Sequence, residues 1–157
     1  MSYFLQPLLR IRVMREDRAA GELTVARRAV AEAERKLEER KSELAEYERT
    51  KEERRERIYD AIIGRPVSRD RIDIANEGVA RIDEEGVLKA DNVTRAEGEL
   101  KDREAAAEAA RANFAVAMKN RMKIEEHRSV WKAEEAAEQE RRAEGELEDF
   151  VVRKPEI

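Results

Sequence analysis

Leu23, Val30, Leu37 and Leu44 recur at intervals of seven residues, and the same phase reaches Ile58 after one lysine at Lys51. A heptad repeat marks a helix that buries one narrow stripe against another helix. A second phase runs Ile72, Val79, Gly86, Val93, Leu100, Ala107 and Phe114. Between them lies Gly64-Arg65-Pro66, where glycine and proline together break a helix. Two apolar seams joined by one breaker predict an all-α fold: two long helices forming an antiparallel coiled-coil hairpin. The helices are expected over residues 8–63 and 69–150, with the turn at 64–68. A single hairpin of this kind takes in the whole of residues 1–157. It has almost no interior, so its function is expected to be mechanical or adhesive.

Details of the chain support this reading. Pro7 suits a first helical turn, where its missing N–H costs nothing. Gly21 is the weak point of the first helix, costing about 1 kcal/mol against alanine. The second seam position of that helix reads Ala26, Ala33, Arg40, Tyr47, Arg54 and Ala61, so the seam should thin near Arg40 and Arg54. Gly64 can take the left-handed conformation that ends a helix. Ser68 can cap the next one, with Asp70 favourably placed in its first turn. Gly78, Gly86 and Gly98 soften the second helix, either as tolerated weak points or as places where a partner approaches the backbone. Folding about the turn sets Leu44 opposite Lys89 and Ala90, Leu37 opposite Ala96, Leu23 opposite Ala110, and Leu9 opposite Ile124. Beyond about Arg128 the second helix should overhang.

An even mixture of charges narrows the function. The chain is 45% charged with a net charge of −4, and acids and bases interleave without a strongly basic face. No nucleic-acid partner is expected. There are no cysteines and one histidine, His127, so neither a thiolate metal site nor a histidine pair is available. No phosphate-binding loop, dinucleotide fingerprint or nucleophile elbow occurs. Neither an enzyme nor a cofactor is expected. With no secretory signal and no membrane span, the cytoplasm is the expected compartment.

The candidate partner-binding residues lie near the ends. Arg10, Arg12, Arg15 and Arg18 form a locally basic run against Glu16 and Asp17. They read either as a solvated helix face or as a contact for an acidic partner. Trp131 follows His127 by four residues and shares its face. It can pack on Leu5, Leu8 or Leu9, closing the open end, or serve as an aromatic anchor for a partner.

Two segments carry a resemblance to a known family. The opening Tyr3-Phe4-Leu5-Gln6-Pro7-Leu8-Leu9-Arg10-Ile11-Arg12, followed by Arg15-Glu16-Asp17-Arg18-Ala19-Ala20, resembles the start of the type III secretion stalk proteins of the YscO family. These are similar to the flagellar export protein FliJ. His127-x-x-x-Trp131-x-x-Glu134 and the Glu/Arg-rich tail match a second family segment. The resemblance implies a cytoplasmic stalk whose open end enters the pore of the hexameric secretion ATPase, with Arg12, Arg15, Arg18, His127 and Trp131 as the expected binding set. Its turn end would face the cytosolic domain of the export gate, and it would also bind export chaperones. A general coiled-coil holdase or a nucleic-acid-binding arm are the alternatives. The first needs apolar inner faces on splayed arms, and the second a basic tip, which Asp70 and Asp73 offset here.

Overall fold

A computed structural model describes residues 1–153; residues 154–157, which the expected single hairpin also includes, lie outside the described residues. Two helices account for nearly all of it: α1, Gln6–Asp60, and α2, Arg69–Val152. The fold is the all-α antiparallel helical hairpin. Leucine, alanine, glutamate, lysine and arginine all favour helix intrinsically. Exposed pairs one turn apart add to this, such as Arg35 with Glu32 at 2.5 Å and Glu39 at 3.4 Å. Each such pair is worth about 0.2–0.5 kcal/mol.

Contacts divide the chain into two compact units, each built from both helices. One comprises Thr24–Ala109; the other joins Met1–Leu23 to the chain from Ala110.

The Thr24–Ala109 unit contains the turn. Gly64 has φ +75°, the left-handed conformation that glycine adopts without steric cost. The Arg71 amide donates to Ser68 Oγ at 3.4 Å, and Asp70 lies in the first turn of α2. Ala33, Leu37 and Tyr47 of α1 are buried, as are Ala75, Ile82 and Ala96 of α2. The α2 trio falls three residues after the apolar line read from the sequence. That line, Val79 to Leu100, forms a half-buried shoulder, while Ile72 remains 42% exposed.

Tyr47 locks the two helices in register. Its Oη donates to the Ile82 carbonyl at 2.7 Å, and the ring lies over Gly86. A Cβ at Gly86 would come within 2.6 Å of two ring carbons. At Gly86 the expected approach of a partner is replaced by the chain's own tyrosine. Arg54 reaches across the thinned seam to Glu85 at 2.8 Å, and Arg55 pairs with Asp83. Arg40 is exposed and pairs with Glu43 on its own helix.

Candidate partner-binding surface

All five expected binding residues belong to the unit formed by Met1–Leu23 and the chain from Ala110. Its seam holds Leu9, Ala19 and Leu23 on α1, all buried. From α2 it takes the half-buried Phe114, Ala117, Arg121, Ile124, Arg128, Trp131 and Glu135. Their spacing alternates between three and four residues, the two-line pattern of a coiled-coil stripe. Arg121 pairs with Glu16 across the helices and with Glu125 on its own helix.

Tyr3, just before α1, organises the aromatic part. It is 5% exposed. Its Oη and His127 Nδ1 share a hydrogen bond at 2.7 Å. Its ring centre lies 5.3 Å from Trp131, tilted by 50°, and 5.5 Å from Phe4. Phe4 meets His127 edge-on at 5.9 Å and is 66% exposed. Tilted and edge-on pairs suit the ring quadrupoles and contribute about 0.5–1.5 kcal/mol each beyond burial. The Met1 amino group reaches Glu135 at 3.2 Å.

His127 and Trp131 are therefore brought together, with Tyr3 as their common partner. Tyr3 packs against Trp131 and was not among the expected partners Leu5, Leu8 and Leu9. It was hidden because it precedes Pro7 and sits outside the heptad. The overhang begins after Glu135 rather than near Arg128, since Trp131 and Glu135 both meet the first residues. Every described residue from Ala136 onward is exposed.

The arginines divide. Arg15 and Arg18 are exposed, and Arg18 pairs with Glu22 at 3.2 Å. Arg12 is half-buried, and its Nε is buried without a hydrogen-bond partner. Extending the Ala26 and Ala33 line back by heptads passes through Ala19 to Arg12, so its seam position was legible. The seam therefore covers part of the Arg12 guanidinium along with its stem. Arg12 to Arg18 covers roughly 9 Å of helix at 1.5 Å per residue. The arginines thus form a stretch along α1, whereas His127 and Trp131 form a cluster around Tyr3. Ile11 and Met14, exposed at 46% and 69%, interleave with the arginines.

Among the described residues, no group of three or more His, Cys, Asp or Glu side chains is arranged to hold a metal ion. No helix among them is long and apolar enough to cross a membrane. The arrangement offers cations, exposed apolar side chains and an aromatic cluster, which is the chemistry of an adhesive surface.

Comparison with known proteins bears on what such a surface does. A family model described as type III secretion protein YscO matches residues 5–153. The structure described as that of a candidate YscO homologue, CT670, from Chlamydia trachomatis aligns with a TM-score of 0.75 and 21% identity, covering 97% of this chain and 93% of that one. At that identity the likeness is one of fold. None of the curated proteins matches the chain.

Proposed function

The chain belongs to the YscO family of type III secretion proteins, and from that premise we propose that it is the central stalk of a type III secretion apparatus. Family membership makes it a type III secretion-associated protein. The finer reading is a cytoplasmic stalk that links the hexameric secretion ATPase to the cytosolic domain of the export gate. It also escorts export chaperones. The observation that supports this best is the joining of residues distant in sequence, Tyr3 with His127 and Trp131. It makes one surface from the two segments that carry the family resemblance.

In this reading Arg15 and Arg18 supply exposed charge to an acidic wall of the ATPase pore. Arg12 contributes from the seam, and the His127–Trp131 cluster supplies the apolar anchor. Such charges steer association and fix orientation, and salt screens them over about 10 Å at 0.1 M.

The test is a pull-down with the purified hexameric secretion ATPase across a salt series. Arg15→Glu with Arg18→Glu should abolish capture while leaving helicity unchanged, because both side chains are exposed. Arg12→Glu alone should also reduce helicity, because Arg12 sits in the seam. Trp131→Ala should weaken capture, part of its effect coming from lost contact with Tyr3. Undiminished capture by the Arg15/Arg18 variant would refute this contact surface. A parallel arm with bulk RNA separates the nucleic-acid alternative, whose affinity would fall steeply with salt.

A further inference from the structure

Beyond Glu135, α2 continues as an exposed helix from Ala136 to Val152, roughly 25 Å long at 1.5 Å per residue. Ala136, Glu140, Ala143, Leu147 and Phe150 follow one another at alternating steps of four and three residues, which sets them on one face. Leu147 is 64% exposed and Phe150 72%. Successive residues turn by about 100°, which puts Glu144 and Glu146 on the margins of this face and Arg141 and Arg142 behind it. Arg142 is also paired with Glu138. The face is thus apolar and anionic, with no cation on it between Ala136 and Val152.

A second uncovered face in the same unit has the opposite charge. On α1, Pro7, Ile11, Met14 and Arg18 follow steps of four, three and four, and all are exposed. Ile11, Met14 and Arg18 each stand two residues after a seam residue, namely Leu9, Arg12 and Glu16. They therefore lie about 160° round the helix from the contact with α2. Arg10 is four residues before Met14 and Arg15 four after Ile11, so the two flank the stripe on either side. Two carboxylates border it: Asp17, three residues after Met14, and Glu22, which is paired with Arg18. Glu16 belongs to the seam, where it pairs with Arg121.

The two faces match in spacing and in charge, and a single molecule cannot join them. The overhang leads away from its own α1, past the contact between Tyr3 and Trp131. We propose that the Ala136–Val152 overhang docks on the outer face of α1 in a second copy of this chain. With the two helices parallel, Leu147 meets Ile11, Phe150 meets Met14 and Ala143 meets Pro7. Glu146, just before Leu147, then reaches Arg15, just after Met14, as flanking charges pair in a parallel coiled coil. The antiparallel arrangement that joins Leu147 to Met14 and Phe150 to Ile11 sets Glu146 beside Asp17 and is disfavoured by like charge. Donor and acceptor are different patches, so the contact is heterologous. The assignment rests on the two faces and not on the stalk reading. Pairing covers Arg15, so it and the proposed ATPase contact exclude each other.

The test is sedimentation equilibrium of the full chain over a range of concentration and salt. Wild type should exceed the mass of one chain as concentration rises, and fall back towards it as salt rises. Leu147→Glu with Phe150→Glu removes the donor face, and Ile11→Glu with Met14→Glu the acceptor face. Each variant alone should stay monomeric with circular dichroism unchanged, since all four side chains are exposed. Mixed in equal amounts, the two should form a two-chain complex, because each retains the face that the other lacks. If a glutamate variant loses helicity, Leu147→Ser with Phe150→Ser and Ile11→Ser with Met14→Ser carry the same comparison. A wild type that stays monomeric throughout would overturn the assignment. So would a mixture that remains monomeric, or an acceptor variant that still self-associates, since overhang would then be pairing with overhang.

Discussion

A methyl group at position 86 would collide with the ring of Tyr47, a buried side chain whose hydroxyl is already committed to the Ile82 carbonyl. Glycine in a helix interior normally costs about 1 kcal/mol against alanine. Here the sign reverses: Gly86→Ala should destabilise by about 1–3 kcal/mol, the usual cost of overpacking. Gly98 has nothing within 4 Å of an added Cβ, so Gly98→Ala should stabilise by up to about 1 kcal/mol. Thermal melts of the two variants check both signs. A second residue-scale effect concerns pH. The hydrogen bond from Arg54 holds the Glu85 carboxyl below its ordinary range. Its contribution is present above the unfolded carboxylate pKa and is lost as pH falls through the lower folded one. Glu85→Gln should therefore flatten the acid limb of a melting-temperature profile slightly, the pair being partly exposed. Tyr47 was legible only as a seam position in the sequence, and its match with Gly86 required knowing which turn of α2 it meets.

For the helices, heptad counting carried most of the information. It located the α1 stripe, and Gly64 and Ser68 terminate and start their helices by the chemistry their residue types provide. On α2 it found one of two lines and missed the deeper one. Ala75 and Ala96 are common residues in an alanine-rich helix, and Lys89 interrupts the line between them. Leu37 is 8% exposed while its neighbour Glu38 is exposed. Leu37→Asp should forfeit roughly 1.5–3 kcal/mol of burial, whereas Glu38→Lys should stay within about 0.5 kcal/mol. Circular-dichroism melts that showed equal losses would refute this facing of α1. The end of α2 is the complementary case. It is helical through Val152 yet exposed throughout from Ala136. Unsupported helices of this length are marginal in water, so hydrogen exchange should find these amides opening first. Strong protection there would contradict the exposure described.

At the scale of the whole molecule, the family was legible at the ends of the chain and silent in the middle. The end segments pair a distinctive aromatic–proline–arginine opening with a histidine–tryptophan face, whereas Gly64 to Asn92 offers only coiled-coil residues. One earlier feature sets the molecule's response to temperature. Four of the ten buried apolar residues among the described ones are alanines, and no described side chain falls below 2% exposure. The accessible surface is 12548 Å², against roughly 8,100 Å² for a compact protein of this mass by the usual scaling. Unfolding therefore exposes little new apolar surface, and that exposure is what generates the heat-capacity increment. Calorimetry should return an increment below the usual 12–15 cal/mol/K per residue. The stability curve should then be shallow, its maximum broad, and its cold-denaturation limb pushed far below freezing.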